Sequence, residues 1–95
     1  MTDEELTELA TKAFGIDEYE SQFWGFDPLN EDADAFRLAV KLKLAIIPTG
    51  VAVNVSEIGG RSSIKITGVD PCAATRRAIV RAAAEIGRNN ETKLG

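Results

Sequence analysis

The spacing of apolar residues divides the chain into an opening helical part, an alternating middle part and a closing helical part. In residues 3–14, apolar side chains recur every three to four positions, which is typical of an amphipathic helix. Thr2 and Glu5 have the spacing of a capping box at the start of this segment, and Gly15 suits the left-handed residue that ends a helix. The pattern therefore predicts a first helix over residues 3–14.

Residues 16–29 have no sustained period and contain Gly25 and Pro28, so we predict a long loop with room for one short strand. A second helix is predicted over residues 31–43, with Asn30 as its N-cap and acidic residues in its first turn, where they complement the helix dipole. The buried stripe of this helix is predicted to contain Ala35, Leu38, Ala39 and Leu42 and to be widened by Phe36 and Val40.

From residue 44 the apolar period changes to two, which is typical of half-buried strands. We predict three strands, over residues 44–47, 51–57 and 62–67. A glycine turn at 59–60 joins the second strand to the third. In the predicted antiparallel register, Val55 lies opposite Ile64. Two residues away on the same face, Val53 lies opposite Ile66. A slip of one residue would move these side chains to the other face, so the pattern specifies this register.

The closing helix is predicted over residues 71–89, with Asp70 as its N-cap and Pro71 at its first position. The residues after Asn89 are expected to fray. The side predicted to face the core carries small and apolar residues: Cys72, Ile79, Ala82, Ala83 and Ile86. Together, the elements predict a single α+β domain over residues 1–95, in which a small three-stranded antiparallel sheet packs with three helices.

Two stretches of the chain resemble a known family. The first is GFDPLNEDADAFRLAVKL, residues 25–42, and the second is RRAIVRAAAEIGR, residues 76–88. Together with the hairpin between them, they are similar to the phage ABA sandwich domain family of small tailed-phage proteins. The resemblance covers most of the chain and implies a layered α-β-α fold and a phage or prophage origin. It implies no catalytic residues.

The composition excludes several classes of chemistry. The chain has no histidine and one cysteine, so it cannot form a Ser/His or Cys/His nucleophile, a His-ligated zinc site or an internal disulfide. Cys72 is expected to be a small buried residue of the core. The acids between residues 27 and 34 lack the spacing of a calcium loop. We therefore expect no enzymatic activity, no cofactor and no metal site.

The termini and the apolar runs give an expectation about location. The acidic N-terminus is unlike a secretory signal, and no apolar run approaches the length needed to cross a bilayer. The single cysteine is compatible with a reducing compartment. We therefore expect the protein in the cytoplasm of a bacterial host, with no membrane partner.

Charge is distributed unevenly along the chain. Residues 1–34 carry 11 acids and one base, whereas residues 35–95 carry 10 bases and four acids. The favoured interpretation is that the two parts neutralise each other within the fold. The alternatives are self-association, or a basic partner on one side and an anion on the other. The net charge of −4 argues against nucleic-acid binding.

The candidate binding residues lie in the aromatic loop and on the closing helix. Four of the six aromatic residues occur between positions 19 and 26. Phe23 and Phe26 are expected in the core, whereas Trp24, which precedes Gly25, is expected to be partly exposed. Three arginines are predicted on the side of the closing helix away from its apolar side, either as a solvated face or as phosphate contacts. The candidate partner- or ligand-binding residues are Tyr19, Trp24, Asp27, Arg77, Arg81 and Arg88.

Two functional hypotheses follow. The main one is a non-enzymatic bacteriophage accessory protein that binds a host protein and inhibits a host defence system. In it, Trp24 contacts a protein, either the host target or a second copy of this chain in a homo-oligomer. The alternative is a protein that sequesters a small nucleotide signal, with a base stacked on Trp24 and phosphate held by the arginines.

Overall fold

The computed structural model describes residues 2–16, 20, 23–49, 52–57, 63–68 and 70–94. The elements in chain order are α1 (Asp3–Phe14), α2 (Asp32–Leu42), β1 (Leu44–Pro48), β2 (Ala52–Glu57), β3 (Ser63–Thr67) and α3 (Pro71–Leu94). Helices pack on a three-stranded antiparallel sheet, so the predicted α+β class is confirmed. In the predicted loop, residues 20, 23 and 24 are helical and a turn lies at 28–30. None of its described residues is in a strand, so the short-strand interpretation is wrong for them.

Helix α1 begins and ends at the predicted residues. The Thr2 hydroxyl accepts the Glu5 backbone N–H at 3.1 Å and donates to the Glu5 carboxylate at 3.2 Å. The glutamate of this capping box thus reaches back to the hydroxyl of Thr2. At the other end, Gly15 has φ of 96°, and its N–H is donated to the carbonyls of Thr11 and Lys12. A residue with a side chain would be strained at that φ, which is why the helix ends at a glycine.

Helix α2 starts differently from the prediction. Its N-cap is Glu31, which makes no side-chain capping bond, and the Asn30 amide donates instead to the Asp27 carboxylate at 3.1 Å. The N–H groups of residues 30 and 31 are both donated to the Asp27 carbonyl, so Asn30 belongs to the preceding turn. The buried Asp34 links the first turn of α2 to the turn that precedes the helix, because its carboxylate accepts the Asp27 N–H at 2.9 Å. The assignment of Asn30 as the N-cap is therefore wrong.

The sheet has the order β1-β2-β3. Val55 pairs with Ile64 and Val53 pairs with Ile66, which confirms the predicted register. Both valines are buried, and α3 packs against β2 and β3. The predicted glycine turn at 59–60 lies outside the described residues. β1 extends to Pro48, one residue beyond the prediction.

Helix α3 contacts each of the five other elements named above. Its N-cap is Asp70, as predicted, because one carboxylate oxygen accepts the N–H groups of Cys72 at 3.0 Å and Ala73 at 3.3 Å. The helix continues to Leu94, five residues beyond the predicted end at residue 89. It packs against α1, α2 and all three strands.

Helix α3 approaches α1 closely at Gly87. A Cβ atom on Gly87 would overlap the Leu9 carbonyl oxygen and lie 3.1 Å from its carbonyl carbon. The structure shows that the lack of a side chain at Gly87 serves a helix–helix contact with α1.

Candidate functional site

Trp24 lies at the edge of a small aromatic cluster. Its ring centroid is 5.7 Å from that of Phe14 in an edge-on arrangement and 5.6 Å from that of Phe26, while Phe14 and Phe26 are 4.9 Å apart. Phe26 is buried, whereas Trp24 is exposed. Gly25 has φ of 72°, which turns the chain between the two rings. The predictions that Phe26 is in the core and that Trp24 is partly exposed are both confirmed.

Phe23 does not enter the core, contrary to the prediction. Its side chain is exposed. The position beneath the loop is filled by Phe26, which lies after the turn at Gly25 and contacts Phe14 of α1. Of these two phenylalanines, Phe26 is therefore the one that is buried in the core.

Two apolar residues of α2 are also exposed. Phe36 and Val40 were predicted to widen the buried stripe, and this is wrong, because both side chains are mostly exposed. The buried residues of α2 are Asp34, Ala35, Leu38 and Ala39, which lie on the other side of the helix. Phe36 and Val40 are one helical turn apart on the exposed side, so they are neighbours on the surface.

Arg37 connects these two groups of exposed residues. Its guanidinium carbon is 5.7 Å from the centroid of the Trp24 ring, within the range of a cation–π contact. It also approaches the Asp34 carboxylate at 3.5 Å, and its side chain is about half exposed. We use the term Trp24 surface for Trp24, Arg37 and the exposed apolar residues that neighbour them in the chain or along α2: Phe23, Phe36 and Val40.

The candidate arginines on α3 have different surroundings. Arg77 forms two hydrogen bonds with the Asp3 carboxylate, at 3.0 and 3.1 Å. The hydrogen bond from Arg77 and its charge lower the pKa of Asp3 below its ordinary value, and the charge of Arg81 lowers this pKa further. Arg81 and Arg88 are exposed. The predicted row of three arginines therefore includes one whose guanidinium is already bound to a carboxylate.

Arg76, which was not among the candidate residues, has a less exposed side chain than Arg77. Its Nε donates to the Leu29 carbonyl at 2.8 Å, and its guanidinium pairs with Asp32 at 2.6 Å. The hydrogen bond to Asp32 raises the pKa of Arg76. The two residues are 44 positions apart, so no local pattern indicates the pair. The uneven distribution of acids and bases along the sequence was the only signal for ion pairs between distant segments. The pairs of Arg76 with Asp32 and of Arg77 with Asp3 support the interpretation that the acidic and basic parts of the chain neutralise each other.

A groove of about 960 Å³ lies between α1, the turn at 27–30 and the start of α3. Asp27 and Arg77 both line it, whereas Trp24, Arg81 and Arg88 do not. Tyr19 lies outside the described residues. The structure thus brings two of the candidate residues together and leaves Trp24 elsewhere. Since Arg77 is bound to Asp3 within this groove, its charge is already compensated there.

Cys72 is exposed, which corrects the expectation of a buried core residue. It lies in the first turn of α3, and the first buried residue of that helix is Ala74. The helical period places Cys72 on the same side of α3 as Ile79 and Ala83, which are buried. However, the packed part of the helix begins only after its first turn.

No family model, no curated protein and no solved structure matches this chain. Within the described ranges, no group of three or more carboxylate or cysteine side chains is placed to hold a metal ion. None of the helices that the structure describes has both the length and the apolar character of a membrane span.

Proposed function

We propose that the protein is a non-enzymatic binding protein and that the Trp24 surface is its site for another protein. The observation that carries this proposal is the exposure of four large apolar side chains: Phe23 at 79%, Phe36 at 66%, Val40 at 61% and Trp24 at 45%. Single exposed apolar residues are ordinary, but several of them on neighbouring positions of one loop and one helix are typical of an interaction site. Aromatic residues and arginine are the types enriched in protein interfaces.

The contacts of Arg37 indicate the chemistry of the partner. Its pair with Asp34 is long, at 3.5 Å, and Asp34 already accepts the Asp27 N–H at 2.9 Å. The guanidinium can therefore donate further hydrogen bonds toward solvent while its face stays near Trp24. A carboxylate that arrives with apolar neighbours would complete this surface. We infer a partner that presents an apolar patch with an aspartate or glutamate at its centre.

The resemblance to the phage ABA sandwich domain family supports a more specific role. On that basis, we propose that the protein is a phage accessory protein and that the partner is a protein of the bacterial host cytoplasm. Inhibition of a host defence system is the role we propose for the complex. Sequestration of a nucleotide requires Trp24 and the α3 arginines to act together, but Trp24 contacts Arg37 and Arg77 contacts Asp3.

The test begins with capture from a host lysate and is decided with purified components. The captured protein is identified, purified and titrated by calorimetry against the wild type, Phe36→Glu and Asn89→Glu. Asn89 is exposed on α3, so its replacement introduces the same charge outside the Trp24 surface. We expect Phe36→Glu to weaken binding at least about tenfold, or about 1.4 kcal/mol, and Asn89→Glu to leave it nearly unchanged.

Two outcomes would contradict the proposal. One is equal affinity of the wild type and Phe36→Glu, with both proteins folded by circular dichroism. The other is a rise in melting temperature with a nucleotide or cyclic dinucleotide that is lost in Trp24→Ala. The second result would establish the nucleotide-binding alternative instead.

A further inference from the structure

The two edges of the sheet differ in their protection against pairing with another strand. Edge strands in natural proteins commonly carry a charge or a proline that prevents such pairing. β3 has Lys65, an exposed residue, at its centre. β1 has no charged residue, and both Ile46 and Ile47 are exposed, the latter at 56%. Its proline, Pro48, is at its last position. β1 is therefore the less protected edge.

The hydrogen bonds identify which backbone groups of β1 point outward. Thr49 donates its N–H to the Ala52 carbonyl at 2.8 Å, so the backbone groups of Thr49 point toward β2. In an antiparallel strand, the backbone N–H and C=O groups of successive residues point alternately toward the partner strand and away from it. The backbone groups of Ala45 and Ile47 therefore also point toward β2. The backbone groups that point outward belong to Leu44, Ile46 and Pro48. Because the backbone of Pro48 points outward, the lack of an N–H at this proline costs no hydrogen bond to β2.

We propose that β1 pairs antiparallel with β1 of a second copy of this chain, around a two-fold axis at Ile46. Ile46 and the partner's Ile46 would exchange two main-chain hydrogen bonds. On each side of the axis, the Leu44 N–H would be donated to the carbonyl of the partner's Pro48. No bond of this arrangement requires the N–H that proline lacks. The two three-stranded sheets would then form one continuous sheet.

The side chains of β1 are complementary to themselves in this register. Directly opposite residues share a face of the sheet, so the exposed Ile46 would lie against the partner's Ile46. Ile47 would lie beside the partner's Ala45 on the other face. Both exposed isoleucines would gain apolar neighbours, and no polar side chain of β1 would be covered, because β1 has none.

The charges near the two edges permit a second copy on β1 and disfavour one on β3. Lys43 precedes β1, so the lysines of the two copies would be six residues apart along the strands, or about 20 Å. This separation exceeds the Debye length of about 8 Å at physiological salt, so their repulsion is screened. A two-fold pairing of β3 would instead place Lys65 directly opposite the partner's Lys65, at about 5 Å. The inference does not depend on the function of the Trp24 surface.

Oligomeric state provides the first test. Sedimentation of the wild type is expected to show a dimer of the 10.2 kDa chain. Ile47→Lys introduces a charge on the exposed side of β1 and is expected to give a monomer. Thr67→Lys introduces the same charge on β3 and is expected to remain dimeric. A wild type that stays monomeric at about 1 mM would overturn the proposal. Loss of the dimer in Phe36→Glu but not in Ile47→Lys would also overturn it, because it would assign the dimer to the Trp24 surface.

Hydrogen exchange of the wild type provides a second test that needs no variant. The N–H groups of Leu44 and Ile46 point outward, so their exchange is expected to slow as protein concentration rises. Those of Ala45 and Ile47 face β2, so they are expected to be protected at every concentration. Fast exchange at Leu44 and Ile46 in a concentrated sample would contradict the pairing. Protection that appears only when an identified partner protein is added would assign the edge to that protein instead.

Discussion

Gly87→Ala is expected to destabilise the protein, although alanine is the better helix former. The added Cβ would overlap the Leu9 carbonyl oxygen and lie 3.6 Å from the Ala13 nitrogen. In α1, the Leu9 carbonyl accepts the Ala13 N–H through the regular helical bond, so the clash falls on that bond. Neither atom belongs to a flexible side chain. The substitution must therefore distort the hydrogen bond or move α1 away from α3.

The magnitude follows from two opposing effects. Replacement of glycine by alanine within a helix gains about 1 kcal/mol from helix propensity. Forcing additional atoms into a packed contact costs about 1–3 kcal/mol, and the rigid backbone of α1 places this case at the upper end. The net loss is about 2 kcal/mol in the free energy of unfolding. For a domain of this size, that corresponds to a fall of about 10 °C in melting temperature.

Urea unfolding followed by circular dichroism measures this change, and Gly68→Ala is the matched control. A Cβ on Gly68 would lie 3.5 Å from the Ala74 Cβ, an ordinary van der Waals contact, and its φ is not in the left-handed region. This control is expected to be neutral or slightly stabilising, since alanine restricts the unfolded chain. If Gly87→Ala were as stable as the wild type, the close packing of α1 on α3 would be refuted.

Three further predictions concern the sheet, the cysteine and an ion pair. Val53→Lys should unfold the domain, because it places an unpaired charge in the core. Asn54→Lys, on the other face of the sheet, should change the free energy of unfolding by less than about 0.5 kcal/mol in the same urea assay. If Asn54→Lys were the more damaging substitution, the two faces of the sheet would be misassigned. Cys72 should react with iodoacetamide about as fast in the native state as in urea, and strong native protection would contradict its exposure. Arg77 lowers the pKa of Asp3 in the folded state, so the stability from this pair should be present above the ordinary Asp3 value of 3.8 and be lost as the pH falls through the lowered value. The difference in urea midpoint between the wild type and Arg77→Gln should therefore shrink between about pH 5 and pH 2, and a constant difference would refute the pairing.

Features that depend on neighbouring residues were predictable from the sequence. The ends of α1 follow from Thr2 and Gly15, because a cap and a left-handed stop act within one helical turn. The register of β2 and β3 follows from the alternation of valine and isoleucine, since only one register places these residues on a common face. Asp70 identified the start of α3 for the same local reason.

Features that depend on distant packing were not predictable in this way. The exposure of Phe36 depends on which side of α2 its neighbours cover, and the helical period alone does not decide that. Phe23 and Phe26 look equivalent in the sequence, but the turn at Gly25 directs only one of them inward. At the candidate site, the partial exposure of Trp24 was predicted, whereas its contact with Arg37 and the pairing of Arg76 were not.

The central position of α3 has a consequence for how the chain folds. α1 packs mainly on a helix that lies far along the chain, as in the pair of Asp3 with Arg77, which are 74 positions apart. The earlier elements lack their largest common contact until α3 is present, and such long-range contacts form slowly because a large loop must close first. During synthesis, the segments that precede α3 should therefore remain without a stable core. We expect folding and unfolding to be all-or-none, with no fragment that lacks α3 retaining native structure.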